Sequence, residues 1–486
     1  MSLTKVSYSM ITGTPANILD YGADPTGIAS SYAAIVAALA ASNNVIIPPG
    51  NYLIDQQINI SGNKIISGFA NNDLCVSQHS TLNFTAASGN CFSATTAEYE
   101  GIYIGNLRIV GGNGAYAIRS SRPQSNFESI NMETFNGGGI QLFEAGTGSQ
   151  ASWGTAVKNC KWVGPNSPTA YFAFDVTVNG GHVLFDSCTA IRGSIGLNIN
   201  QCQAIRVFRC SFNLQTSQGG YNYSSLPVTS QCGIRLSGAG YKQGVEIDSC
   251  YIEACTYGLY VEKCEGLFVH GNYIADVGIS SNYASVFLKG STAPEINVDN
   301  VLIESNSFYD TGNNMYSVDV GDRCANVAIS NNYMRTQGTN SVNIRNNNTF
   351  FTYQQNNSFF YNPFSGKSTL DNTNTLVNTN FQNGGFFTYS KNSVLCVNNT
   401  WYDLGVVLKK QAWQVNTYAS DSPGIIRRQD MIYIDTSNVA FVKNIFLDSA
   451  FGANVLEVQV SSGVIQFRNT LAPGDVLLTC SAIRLA

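Results

Sequence analysis

A six-residue phrase recurs through the middle of the chain: apolar, any, apolar, any, any, then Cys or Asn. It reads V-L-F-D-S-C (183–188), I-R-V-F-R-C (205–210), V-E-I-D-S-C (245–250), L-F-V-H-G-N (267–272), V-L-I-E-S-N (301–306) and V-A-I-S-N-N (327–332). Its last residues, Cys188, Cys210, Cys250, Asn272, Asn306 and Asn332, are 22, 40, 22, 34 and 26 residues apart. A unit of about 22–24 residues with occasional insertions is the spacing of a solenoid, in which each coil buries its apolar face only against its neighbours. A second alternating stretch precedes each phrase, as in G-L-N-I-N (196–200), G-L-Y-V-E (258–262) and S-V-D-V-G (317–321). Alternation turns Leu197, Ile199, Leu259, Val261, Val318 and Val320 inward. The expected fold is all-β, a parallel β-helix whose strands stack about 4.8 Å apart from coil to coil.

The solenoid frees the 486 residues from the usual count of domains by length. With 12% charged residues and a net charge of -5, the chain is a poor partner for nucleic acid, and no apolar run is long enough for a membrane span. The N-terminus carries no apolar stretch resembling a secretion signal. Thirteen cysteines is an odd number, and most fall at repeat positions: Cys160, Cys188, Cys210 and Cys250 in one column, Cys202, Cys264 and Cys324 in another. Cysteine buries as a small apolar residue, so these columns read as stacked free thiols. There is no C-x-x-C pair and no neighbouring His to hold a metal, so neither metal nor cofactor is expected.

Before the array, residues 31–41 (S-Y-A-A-I-V-A-A-L-A-A) predict a helix capped by Ser30 or Ser31 that buries Ile35, Ala38 and Leu39. Laid across the first coil, it closes an otherwise open core. The set D-Y-G-A-D-P-T-G (20–27), this helix, and V-I-I-P-P-G-N-Y (45–52) resembles the start of the pectate-lyase-like right-handed parallel β-helices, bacteriophage tailspike proteins in particular. The lead L-T-K-V-S-Y-S-M-I-T-G-T-P-A-N (3–17) resembles that of phage tail proteins. The close match covers roughly residues 3–60; the rest matches in repeat style only.

That resemblance implies a homotrimer in the virion, attached to phage tail or baseplate components, acting on polysaccharide at the bacterial surface. It carries over no catalytic motif residue by residue. Residues 1–55 are read as lead and cap, 56–370 as the parallel β-helix, and 371–486 as a C-terminal β-rich domain. In the last part, V-L-C-V-N-N-T-W-Y-D-L-G-V-V-L-K (394–409), V-L-E-V-Q-V (455–460) and V-I-Q-F-R-N (464–469) suggest an antiparallel sandwich. The resemblance gives it trimerisation or sugar binding.

Candidate chemistry lies just past each ladder residue: C-Y-I-E-A (250–254), N-Y-I-A-D (272–276), N-S-F-Y-D (306–310), N-Y-M-R-T (332–336). The apolar Ile252, Ile274, Phe308 and Met334 point in, so Tyr251, Glu253, Tyr273, Tyr309, Tyr333 and Arg335 point out. Asp276 and Asp310 fall one step further, at inward parity, and surface only where the strand ends. Repeated tyrosine beside carboxylates suits an oligosaccharide cleft, and the insertion 213–232 can wall it with Tyr221 and Tyr223. Glycoside hydrolysis needs two carboxyls, about 5 Å apart for retention or about 6.5–9.5 Å for inversion. The expected roles are Glu253 or Asp276 as general acid and Asp310 as base. The plainer reading of these acids is a solvated rim, with Arg335 and Arg192 as ion-pair partners. A rival column, Asp248, His270 and Glu304, reads as an acid–base set or a surface ion-pair ladder. Outward Tyr260 and Phe287 read as a sugar platform or a subunit contact. Three functions stay open: a metal-independent endo-glycosidase on O-antigen or capsule, a polysaccharide lyase, and a non-catalytic glycan-binding fibre.

Overall fold

The computed structural model describes residues 14–69, 79–95, 100–112, 114–144, 153–165, 172–214, 229, 231–238, 240, 242–275, 277, 283–290, 297–310, 315–336 and 342–346, and beyond these the backbone of strands up to residue 485. Two compact units are present: residues 1–345 with 355–365, and residues 346–354 with 366–486.

The first unit is a parallel β-helix with three strands per coil. Sheet 1 stacks Cys232–Leu236, Tyr257–Val261, Ala284–Leu288 and Tyr316–Val320. Sheet 2 stacks Lys242–Asp248, Cys264–His270, Val298–Glu304 and Cys324–Ser330, the strands of the hexapeptide. Sheet 3 stacks the short strands Ser211–Asn213, Tyr251–Glu253, Tyr273–Ala275, Ser307–Asp310 and Tyr333–Thr336. In the coils Phe172–Asp186 and Ile195–Phe208 one continuous strand serves sheets 1 and 2. The inward columns hold as the alternation predicts: Leu197, Ile234, Leu259, Val286 and Val318 form one buried line, and Ile252, Ile274, Phe308 and Met334 another.

The chain turns from sheet 2 to sheet 3 at the ladder residue. The residue before it sits in the left-handed region in successive coils: Ser187, Arg209, Ser249, Gly271, Ser305 and Asn331, with φ between 52° and 65°. Only Gly271 adopts that conformation without steric cost. The ladder that follows holds the others there. Asn272 Nδ2 donates to Ile247 O (3.0 Å), Asn306 Nδ2 to Val269 O (2.9 Å) and Asn332 Nδ2 to Ile303 O (2.9 Å). Each acceptor lies three residues before the ladder residue of the coil below. The cysteines make the same bond: Cys188 Sγ donates to Val157 O (3.3 Å) and Cys250 Sγ to Val207 O (3.6 Å). The sulphurs are thus small buried donors, and the ten described cysteines are all free and buried. The second cysteine column contains a surprise. Cys202 pairs with Lys242, whose buried ammonium donates to the carbonyls of Asn200, Gly238 and Gly240 (2.9, 3.2 and 2.8 Å) and closes a turn.

The predicted helix spans Tyr32–Ala41 and buries Ala34, Ile35, Ala38 and Leu39. Its N-cap is Ser31, but the hydroxyl accepts from Asp24 N–H (2.9 Å) rather than from the helix. Its C-terminal carbonyls are met by Lys64, which donates to Leu39 O (2.6 Å) and Ser42 O (3.1 Å), a cation placed where the helix dipole favours one. The turn before it is organised by Asp24, which accepts from the N–H groups of Thr26, Ile28 and Ala29 and from the Thr26 hydroxyl. Those bonds, Ala29 N–H foremost, lower its pKa to about 2.

The second unit contains two antiparallel sheets, as the alternation beyond residue 390 predicts. One orders Thr388–Cys396, Val476–Leu485, Ala412–Asp421, Gly424–Ile434 and Ala440–Asp448; the other orders Tyr402–Val407, Val464–Asn469 and Leu456–Ser461.

Candidate functional site

Sheet 3 brings the expected residues into two outward columns. The first reads Ser211, Tyr251, Tyr273, Ser307, Tyr333; the second reads Asn213, Glu253, Ala275, Tyr309, Arg335. Tyr251 and Tyr273 are 40% and 39% exposed, and their rings stack with centroids 5.2 Å apart and planes 8° from parallel. The stacking distance follows from the rise of one coil. Glu253 lies beside this pair. Its Oε2 accepts from the Tyr251 hydroxyl (2.9 Å) and from Asn213 Nδ2 (3.0 Å). One carboxylate oxygen is therefore fixed by two donors. Further along, the Arg335 guanidinium lies over the Tyr309 ring, 4.7 Å from its centroid.

The residue level with Glu253 one coil on is Ala275, so no second carboxylate stacks directly on it. Asp310 is the last residue of its strand, in register with Thr336. Its Cα lies two coils and one residue from that of Glu253, about 10 Å away. Asp276, Tyr221 and Tyr223 lie outside the described residues. Asn213 was not picked out from the sequence, although the signal was there: it is third after Cys210, as Glu253 is third after Cys250.

On sheet 2 the rival column is also real. Asp248, His270 and Glu304 are in register, and His270 Nδ1 stands 3.2 Å from Asp248 Oδ1. Beside it a shallow depression of about 340 Å³ is lined by Glu246, Phe268, Val269, His270, Leu302 and Glu304. Phe268 is 47% exposed on its floor. Neighbouring acids on this sheet are paired with arginines, Glu246 with Arg206 (2.6 Å) and Asp186 with Arg209 (2.9 Å), as in a surface ion-pair ladder.

Sheet 1 corrects one expectation. Tyr260 points outward, yet it is only 2% exposed. It packs with Tyr257, Tyr316 and the flanking Tyr283 and Phe287. Its hydroxyl donates to Glu262 Oε1 (2.9 Å). An aromatic covered by its own chain is no platform for a sugar. The same face carries two buried carboxylates. Asp175 accepts from Asn198 Nδ2 (2.7 Å) and Gln141 Nε2 (2.8 Å), amides that Arg235 and Arg119 hold in turn (2.9 and 2.8 Å). Asp319 forms a two-bond ion pair with Arg345, whose guanidinium lies 3.9 Å over the Tyr316 ring. Burial pushes the Asp319 carboxyl up, against the pull of Arg345. Among the described residues no cluster of three or more metal-ligating side chains occurs, and no helix is long and apolar enough to cross a membrane.

No family model and no curated protein matches this sequence. Solved structures do. A tailspike protein mutant of E. coli bacteriophage HK620, in complex with pentasaccharide, is 10% identical with a TM-score of 0.49 over 99% of this chain and 96% of that one. The tailspike protein gp49 of Acinetobacter baumannii bacteriophage Fri1, a capsular polysaccharide depolymerase, is 11% identical with a TM-score of 0.42 over 98% and 87%. PfbA, a surface adhesin of Streptococcus pneumoniae, is 13% identical with a TM-score of 0.48 over 72% and 92%. At these identities and TM-scores the likeness says nothing of which residues act or on what.

Proposed function

We propose that the protein is a phage tailspike depolymerase: a trimeric endo-glycosidase that hydrolyses O-antigen or capsular polysaccharide for host recognition, acting along sheet 3. The observation that carries the reading is Glu253. It is held through one oxygen by Tyr251 and Asn213, beside exposed tyrosine rings that offer CH–π contact to a sugar. Glu253 donates a proton to the leaving oxygen from Oε1. Asp310 activates the water. The two-coil separation of Glu253 and Asp310 suits the wider carboxylate spacing of an inverting enzyme. Tyr273, Tyr309 and Arg335 extend the surface away from the acid. The C-terminal sheets from residue 371 serve trimerisation or sugar binding, and the lead before residue 55 meets the tail.

The test is cleavage of a panel of purified capsular and O-antigen polysaccharides. New reducing ends without an ultraviolet-absorbing unsaturated end support hydrolysis; an unsaturated end means a lyase, and binding without new ends means a fibre. Full cleavage by Glu253→Gln, Asp276→Asn and Asp310→Asn, each tested alone, would discard the site. A second reading places the acid–base set at Asp248, His270 and Glu304, favoured by the concavity beside them. Loss of cleavage in His270→Gln with Glu253→Gln active would select it.

A further inference from the structure

The tyrosine column of sheet 3 has a missing rung. Its outward positions run Tyr251, Tyr273, Ser307, Tyr333 on successive coils. Tyr251 and Tyr273 show what the column does where it is complete: rings one coil apart stack nearly parallel at 5.2 Å. Directly above Tyr273 the side chain is that of Ser307, which is too short to cover an aromatic face. The ring returns at Tyr333, 36% exposed. Tyr273 and Tyr333 therefore stand two coils apart, about 9.6 Å along the axis, with a hydroxyl between them as floor.

We infer that this gap is a binding slot for one pyranose ring of the polysaccharide, clamped between Tyr273 and Tyr333 over Ser307; the inference rests on sheet 3 being the glycan-binding face. The size fits, because two successive ring contacts at about 4.5–5 Å between centroids fill a gap of about 9–10 Å. The chemistry of a two-sided clamp restricts the sugar. Both faces of the ring have to present C–H groups, so its hydroxyls must be equatorial, as in a gluco-configured pyranose. An axial hydroxyl would be pressed against an aromatic face with its hydrogen bond to water lost. The equatorial groups point outward from the slot. One edge meets the Ser307 hydroxyl, and Arg335, held over Tyr309 in the next column, offers N–H donors nearby. From the slot to Glu253 is two coils and two residues, about 12 Å, a stretch spanned by about two pyranose units. The slot thus reads the repeat at a fixed distance from the bond that is cut, which sets the register of the polymer.

The experiment fills the rung. The full-length chain, Ser307→Tyr, Ser307→Ala and Tyr333→Ala are applied to an array of purified bacterial capsular and O-antigen polysaccharides, with thermal melting recorded for each. The wild type is expected to bind only spots from glycans that contain a gluco-configured pyranose, and Ser307→Ala, which removes the hydroxyl at the floor, to bind the same glycans with lower apparent affinity. Ser307→Tyr, which completes the stack, should melt no lower than the wild type and lose roughly tenfold or more in apparent affinity. Tyr333→Ala, which removes one wall at an exposed position, should lose as much and serves if the first variant fails to fold. Undiminished binding by Ser307→Tyr or Tyr333→Ala, or binding confined to glycans without such a pyranose, overturns the slot and leaves the glycan-binding reading standing. A wild-type chain that binds no polysaccharide on the array overturns both.

Discussion

Asn306 is where the fold's dependence on its ladder can be measured. The residue is 1% exposed and uses its whole amide. Nδ2 donates to Val269 O (2.9 Å) and Asn332 Oδ1 (3.0 Å), while Oδ1 accepts from Asn272 N–H (2.9 Å) and Asn272 Nδ2 (2.9 Å). Asn306→Leu keeps the four-atom branched side chain and removes all four bonds. It leaves the buried Asn272 backbone N–H and one Nδ2 hydrogen without an acceptor, at about 1–3 kcal/mol each, so a loss of about 3–5 kcal/mol is expected. Asn306→Cys is expected to cost only about 1 kcal/mol. The thiol can donate to Val269 O as Cys250 does to Val207 O, and its sulphur can accept the N–H below, as that of Cys210 accepts from Cys188.

Asn306→Asp is the sharpest case, since it changes only one atom. A carboxylate oxygen replaces the donor between two acceptors, Val269 O and Asn332 Oδ1, and a charge is buried. Burial raises the folded pKa of the introduced carboxyl above its unfolded value of about 3.9. The neutral acid restores one donor, so the deficit is least below about pH 4 and grows as pH rises through the folded pKa. Urea midpoints of the four proteins at pH 4.5 and pH 8 decide the matter, each variant being read against wild type at the same pH. A leucine variant as stable as wild type, or an aspartate variant with the same deficit at both pH values, would refute the ladder as the support of these bends.

Other consequences are quicker to check. Glu253→Gln is expected to reduce cleavage by about 10²-fold or more with the melting temperature unchanged, since the amide cannot deliver the proton; chelation by EDTA should leave cleavage intact. Asp24 has a depressed pKa of about 2, so its contribution is complete above the unfolded value near 3.8 and is lost as pH falls through about 2. NMR titration of the Asp24 carboxyl should give that value, and Asp24→Ala should flatten the acid limb of the stability curve. Asp319→Ala strands the Arg345 guanidinium and should cost on the order of 3 kcal/mol in thermal or urea unfolding. Replacing both partners, Asp319→Leu with Arg345→Met, should recover most of that loss.

What the sequence disclosed is what repetition enforces. A column of Cys and Asn every coil can only be a stack, and once its phase is known the inward lines of Leu197 to Val318 and Ile252 to Met334 follow by parity. Parity gives direction, however, and says nothing of cover. Tyr260 points out and is nonetheless buried, because Tyr257 packs on it from three residues earlier on the same strand and Phe287 arrives from the next coil. Asp175 and Asp319 are concealed in the same way, Asp175 by Asn198, 23 residues later, and Gln141, 34 residues earlier, and Asp319 by Arg345, 26 residues later. The left-handed residues were equally silent, since Ser187, Arg209, Ser249, Ser305 and Asn331 share no residue type that marks the conformation. They are held by neighbours rather than by their own preference.

The same physics explains why no catalytic signature stands out in such a chain. Each outward side chain meets those of the coils above and below, so chemistry is composed across three or four coils and never within one short segment. Glu253 receives its second donor from Asn213, 40 residues earlier. The tyrosine clamp joins Tyr273 to Tyr333 over Ser307. In such an array the informative residue is the one that departs from its column. Ser307 interrupts tyrosine, Ala275 interrupts the line through Glu253, and Lys242 interrupts cysteine. An inward departure such as Lys242 has to be matched by partners of its own, here three carbonyls for the buried ammonium, whereas an outward rung can be changed without shifting the register. Specificity can therefore change by single outward substitutions while the coil stays the same, and Ser307→Tyr is that argument in its smallest form.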